Sequence, residues 1–378
     1  MRFNRRELAG AVADVGVLVP IAVALIVSNG LSPTAVLLPA ALLYLANAFV
    51  YGLPLPAQPL KAFGAIAIAE GLGADAIAAG AVLIGAIFLV AGRVGLLDRA
   101  ARAFPRPLIR GVQLTVGLLF LEIAWGLVSA PPVAFEEHAL PPAGAIPLAL
   151  VALAAALAFR RAGSSLALVA AGAAIAVVLA GGHATLGPSP LTLPSLDVAT
   201  FAVAFTVLVV PQAPLSFANS CLAPADAARV YFGEQATRVR PGSLATTYGL
   251  TNIFAGAVTG MPVCHGAGGL TAHYSFGART AGAPLAMGAA LLALALGAGS
   301  GLAAILAAFP LPILAALLTA AGILHIGLLR DLRAARAWAV ALLVGGLGFA
   351  FDLALALGVG LIAWWLPVSV RRFATRTA

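Results

Sequence analysis

The chain has 378 residues, 62% of them hydrophobic and only 9% charged, with a mean hydropathy of +1.07. A soluble domain carries about a quarter charged residues, so this chain cannot cover a water-facing surface, and the solvent that fits is a lipid bilayer. The net charge of +8 does not indicate a nucleic-acid groove, because the basic residues fall in short clusters between apolar runs with no aromatic interleaving.

The N-terminal Met1-Arg2-Phe3-Asn4-Arg5-Arg6 leads straight into an apolar run. That run is too long for a signal peptide, and no cleavage site precedes a soluble domain, so it reads as a first span. Candidate spans then lie near 8–28, 33–52, 54–71, 75–93, 106–128, 143–159, 164–181, 198–220, 242–259, 261–276, 282–298, 301–324, 336–350 and 353–370. The expectation is an all-α polytopic membrane protein of fourteen spans. Those at 54–71 and 261–276 fall short of the ~20 residues a full crossing needs.

A cytoplasmic N-terminus places Arg93, Arg99, Arg102, Arg106, Arg110, Arg160, Arg161, Arg229, Arg238, Arg240, Arg279, Arg330, Arg333, Arg336, Arg371, Arg372 and Arg376 on the same side as Arg2, Arg5 and Arg6. The opposite loops hold Asp75, Glu136, Glu137, His138, His183 and Asp197, with no Lys or Arg. The positive-inside rule then puts both termini in the cytoplasm of a multi-pass cell-membrane protein, a bacterial inner membrane being the expected site. Lys61, the only lysine, breaks the pattern by falling inside the third span.

The chain also repeats itself. Gly52-Leu53-Pro54-Leu55-Pro56-Ala57-Gln58 matches Gly260-Met261-Pro262-Val263-Cys264-His265-Gly266, 208 residues on. Phe104-Pro105-Arg106-Pro107-Leu108 matches Phe309-Pro310-Leu311-Pro312-Ile313, 205 residues on, and Val17 to Pro20 loosely matches Leu208 to Pro211. A repeat of seven spans is odd, so the second copy enters from the opposite face, as in many secondary transporters. The expected units are 1–185 and 190–378, with no soluble regulatory domain.

The third span of each half cannot begin as regular helix. Pro54, Pro56 and Pro59 crowd one, and Pro262, Gly266, Gly268 and Gly269 crowd the other. An extended approach to the membrane midplane followed by a half-helix is expected, starting near Pro59 and near Gly266. Inversion would point the two N-termini at each other, which makes an anion site. Candidate contacts are Gln58, Pro59, Lys61, Cys264, His265, Gly266, Ala267, Gly268 and Gly269, with the glycines letting a ligand approach the backbone. Gln212, Ser216 and Asn219 lie on a polar, Pro-broken stretch ending span eight. Asp14, an acid within span one, is a candidate to pair with Lys61, to gate or to carry a proton, with Glu122 as a second proton carrier.

Each assignment has a plainer structural counterpart. Lys61 can snorkel to the cytoplasmic face, His265 can be a packed core residue, the glycines can serve helix packing alone, and the span-eight stretch can simply meet water. The co-occurrence of these residues at matching repeat positions favours a site. Cys221 and Cys264 suggest neither a disulfide framework nor a metal cluster. No Walker loop, HExxH or GxSxG motif occurs, so no cofactor, metal or enzymatic activity is expected, and uphill transport would draw on a gradient.

Taken together, Glu7-Leu8-Ala9-Gly10-Ala11-Val12-Ala13-Asp14-Val15-Gly16, Pro54 to Ala62, Pro105 to Gln113, Pro211 to Leu215 with Asn219-Ser220, and Met261 to Leu270 followed by Tyr274 and Phe276-Gly277-Ala278-Arg279 resemble the molybdate transporter family, relatives of the sulfate permeases. The resemblance spans essentially the whole chain. It implies seven plus seven spans split into a core and a gate domain, and uptake of a tetrahedral oxyanion, molybdate by default. Val17 stands where many members carry a hydroxyl residue. The expected partners are therefore the oxyanion and the lipid bilayer, with a homodimer left open and nucleic acid excluded. Alternatives are a sulfate transporter, a nucleobase transporter of the same architecture and a passive anion channel. The nucleobase class would favour a carboxylate where this chain has Gln212 and His265.

Overall fold

A computed structural model describes residues 1–160, 163–181 and 186–377, with side chains described to residue 366. Arg161 and His183 lie outside the described residues, as do the side chains of Arg371, Arg372 and Arg376. The first half runs α1 (Arg5–Ala11), α2 (Val15–Val27), α3 (Pro33–Val50), β1 (Gln58–Pro59), α4 (Lys61–Ala69), α5 (Ala74–Arg93), α6 (Leu96–Ala101), α7 (Arg106–Ser129), α8 (Pro142–Ala158) and α9 (Ser164–Leu179). The second runs α10 (Val198–Val203), α11 (Val210–Leu215), α12 (Ala223–Phe232), α13 (Pro241–Ala257), β2 (Val263–Cys264), α14 (Ala267–Phe276), α15 (Gly282–Gly297), α16 (Leu302–Ala307), α17 (Leu311–Ile326), α18 (Ala335–Ala350) and α19 (Leu353–Thr377). The chain is an α-helical membrane protein.

Helix starts follow local chemistry. Asn4 caps α1, its side-chain oxygen accepting from the Arg6 and Glu7 amides at 3.1 and 3.0 Å. Asp197 caps α10 by accepting from the Thr200 amide at 2.7 Å. Proline opens α3, α8 and α13, where its missing N–H costs nothing. Gly277, at φ 122°, ends α14 in a conformation that a side chain would strain.

Among the described residues, five helices are long and apolar enough to cross a bilayer, or six if α1 and α2, bent by 41°, form one span. Five more apolar helices, α8, α9, α15, α18 and the apolar part of α19, are shorter. The spans expected near 54–71, 242–259 and 261–276 appear as α4, α13 and α14, of nine, 17 and ten residues. The Pro- and Gly-rich stretches before α4 and α14 take up the missing helical length.

Span eight departs from expectation. The stretch from Pro211 to Ser220 is not broken, and the helix continues from Val198 to Ala236. Two π-turns, Ala204–Val209 and Ser216–Leu222, flank α11. A π-turn widens the helix by one residue, which accommodates Pro211 and Pro214 without a kink.

Close helix pairs are built on small residues. α5 packs along α13, where Gly85 and Gly249 face each other and a Cβ on either would meet the partner's carbonyl oxygen at 2.8 or 2.7 Å. α7 packs along α17, where Gly322 sits against the Gly117 carbonyl. With lipid as solvent, such backbone approach supplies the packing that hydrophobicity cannot. α3 packs on α15, α7 also packs on α18, and α17 also packs on α8.

Candidate functional site

The stretches that cannot be helix meet each other. β1 and β2 pair antiparallel, Gln58 opposite Cys264 and Pro59 opposite Val263, and the Leu60 amide donates to the Pro262 carbonyl at 3.0 Å. This two-residue pairing is a small exception to the all-α expectation. Two buried asparagines hold it. Asn252 mimics a further strand, donating to the Val263 carbonyl and accepting from the Val263 amide, both at 2.8 Å. Asn47 donates to the Leu55 and Pro56 carbonyls at 3.2 and 2.9 Å.

An antiparallel pair sends its following helices in opposite directions, with both N-termini at the pair. α4 begins at Lys61 and α14 at Ala267, within two residues of the expected starts. The first-turn amides of Ala267, Gly268 and Gly269 have no acceptor inside their own helix, and all three residues are buried. On α4, the Phe63 amide donates to Gln212 Oε1 at 2.8 Å.

Lys61 is 7% exposed and does not snorkel. Its Nζ donates to Gln58 Oε1 at 3.0 Å and lies 5.3 Å from the centroid of the Phe120 ring. Gln58 turns its amide nitrogen to Asp14 Oδ2 at 3.3 Å. Asp14 sits at the α1–α2 bend, 2% exposed. It does not pair with Lys61 directly. Its Oδ1 faces the Tyr44 hydroxyl at 3.1 Å and His273 Nε2 at 3.0 Å, so Gln58 is the link between acid and lysine.

The other expected residues divide. Gln212 is brought to α4 and donates from Nε2 to Ser216 Oγ at 3.0 Å, which in turn bonds the Tyr248 hydroxyl at 2.9 Å. Asn219 is buried on the second π-turn with its Oδ1 unpartnered. Cys264 Sγ lies 3.8 Å from the Pro59 carbonyl. His265 is turned toward α13, its Nε2 bonded to Thr247 Oγ1 at 2.8 Å and its Nδ1 buried without a partner. Glu122 is exposed on α7 and is not brought to the cluster.

The glycines stand close against side chains of other segments. A Cβ on Gly266 would overlap Gln58 Oε1; one on Gly268 would meet the Phe120 ring at 2.6 Å; one on Gly269 would meet Asp14 Oδ2 at 2.7 Å. The space they leave is filled by the protein's own side chains, which they admit to the helix start.

Tyr44, His273, Asn47 and Asn252 were not anticipated from sequence. The two asparagines had a signal, since they lie 205 residues apart, the offset of the repeat. A second polar cluster lies on one side. Arg110, fully buried, bonds Asp226 of α12, Asp331 after α17, and Gln113 Oε1 at 2.9 Å. Beside it, Asp98, Arg102, Leu222, Asp226, Arg229 and Arg240 line a cavity of about 530 Å³. Among the described residues no group of three or more His, Cys, Asp or Glu could hold a metal.

The chain is similar to known proteins in both sequence and fold. A family model described as "Molybdate transporter of MFS superfamily" matches residues 6–120 and 204–324, the two segments that contribute the cluster. Molybdate transporter 1 of Arabidopsis thaliana is 29% identical over 365 residues, covering 85% of this chain and 79% of the relative. Molybdate transporter 1 of Chlamydomonas reinhardtii is 41% identical over 146 residues, 38% of this chain and 28% of the relative. Among solved structures, the transmembrane domain of the cyanobacterial bicarbonate transporter BicA superposes with a TM-score of 0.59 at 22% identity, covering 96% of this chain and 98% of that one. Murine solute carrier 26 family member A9, an anion transporter in the inward-facing state, gives 0.60 at 13% identity over 97% of this chain and 68% of that one. The fold is thus shared with the BicA transmembrane domain and solute carrier 26 family member A9, and the chain belongs to the molybdate transporter family.

Proposed function

We propose that this protein is a secondary active transporter that takes up a tetrahedral oxyanion, molybdate, at a midplane site between the N-termini of α4 and α14. One observation carries the reading: two short helices start at one antiparallel pair, with the only lysine in the buried first turn of one and, on the other, buried first-turn amides that have no acceptor in their own helix. Helix N-termini and a desolvated ammonium favour a dianion. The names of the relatives supply the substrate, and tungstate and sulfate share its shape and charge.

The architecture we infer is fourteen spans in two inverted repeats, 1–185 and 190–378. Its support is the packing pattern. Exchanging each span for its counterpart in the other half turns the α5–α13 pair into α15–α3, and α7–α18 into α17–α8, while α7–α17 maps onto itself. α1 to α5 with α10 to α15 form the core, and the remaining helices form the gate. Both termini face the cytoplasm, as the arginine distribution requires. The Arg102, Arg229 and Arg240 cavity then opens to the cytoplasm at the end of the second π-turn, on the exit route of an anion.

Uptake of labelled molybdate by proteoliposomes, with tungstate and sulfate as competitors, tests the proposal. Accumulation against a gradient supports it. If none of the three oxyanions is bound or moved, the substrate assignment fails; large unitary currents without accumulation would indicate a passive channel instead.

A further inference from the structure

An inside-negative potential opposes uptake of a dianion by about 2.3 kcal/mol per charge per 100 mV, and each proton carried with it removes one charge from that opposition. We propose that the Asp14–His273 pair is a proton-binding site whose proton moves with the anion. The inference rests on the anion site described above.

The hydrogen bonds decide where the proton is. His273 Nδ1 faces the Pro54 carbonyl at 2.9 Å. A carbonyl only accepts, so Nδ1 carries a hydrogen. Nε2 faces Asp14 Oδ1 at 3.0 Å. Asp14 also accepts from Tyr44 and from the Gln58 amide, and two such donors favour a carboxylate. With Nε2 donating as well, this geometry is that of the pair with its proton bound. Without that proton, a nitrogen lone pair would face a carboxylate oxygen in a site closed to water. His273 is fully buried and Asp14 nearly so.

The pair couples to the anion through Gln58, which donates to Asp14 and accepts from Lys61. When loaded, Asp14, His273 and Lys61 sum to one positive charge; when unloaded, they sum to none. A dianion binds better to the loaded state, and by linkage the anion holds the proton equally more tightly. Other groups around α14 are committed elsewhere. Tyr231 of α12 and His325 of α17 bond Thr271, and Arg110 of α7 pairs with Asp226 and Asp331. Glu7 of α1 accepts from the Arg279 and Thr280 amides past the helix end. Cys264 of β2 lies against Pro59. The proton binds at Nε2 from one face and leaves from the other once the anion has gone.

Calorimetric titration of the purified full-length chain with sodium molybdate, in buffers of differing ionisation heat, counts protons taken up per anion. Wild type should take up protons as it binds molybdate, and its affinity should fall as pH rises. His273→Gln, fixed at the unloaded charge, should bind molybdate more weakly, and Asp14→Asn, which leaves the Lys61 charge unopposed, should bind it about as tightly as the loaded wild type, each with no proton uptake and no pH dependence. pH-independent wild-type binding without proton uptake overturns the inference alone, as does wild-type behaviour in either variant. Absence of oxyanion binding at every pH removes the anion site, and this inference with it.

Discussion

At the scale of single residues, Lys61 supplies the only full positive charge that the site residues do not neutralise among themselves. Lys61→Met should lower oxyanion affinity about 10- to 100-fold, the value of a buried charge-assisted hydrogen bond, read by equilibrium binding. Gly266→Ala should abolish binding by a different route, because its Cβ displaces Gln58 and with it the link from Asp14 to Lys61. Much of this neighbourhood was legible in sequence. Lys61 breaks the charge pattern, Asp14 lies in an apolar run, and the Pro-Gly stretches repeat. His273 was not, because a lone histidine within a helix has no pattern of its own. Its meaning comes from Asp14, 259 residues away in sequence. The glycines were legible as positions but not in purpose, since what fills the space beside them belongs to other segments.

At the scale of elements, the β1–β2 pair sets where both short helices begin. Asn252 supplies three hydrogen bonds, to the Tyr248 carbonyl and to both backbone groups of Val263. Asn252→Ala strands buried backbone groups and should cost about 2–3 kcal/mol, lowering the unfolding temperature in detergent. The helix starts could be read from Pro and Gly chemistry, which acts locally. The strand pairing could not, because it joins segments about two hundred residues apart and each strand is only two residues long. The continuity of span eight was equally hidden, since the prolines that suggested a break are absorbed by π-turns whose register depends on packing against α5 and α13.

At the scale of the whole molecule, the arginine asymmetry gave the orientation that the inverted-repeat reading needs, and composition alone identified the membrane. How α7 is tied to α12 and to the turn after α17 was beyond sequence, because it rests on the contacts of Arg110 with Asp226 and Asp331. Arg110→Met should destabilise the protein by about 3 kcal/mol, at the low end for a broken buried pair because Asp331 keeps some solvent. The same change unties α7 from α12 and should alter uptake more than equilibrium binding. The central claim is the location of the anion, and tungstate, a heavy scatterer of molybdate's shape, reports it directly. A structure determined with tungstate should show one strong peak within hydrogen-bonding reach of Lys61 Nζ and the first-turn amides of Ala267 to Gly269. A peak confined to the Arg102, Arg229 and Arg240 cavity, with none between the two helix N-termini, would contradict the account.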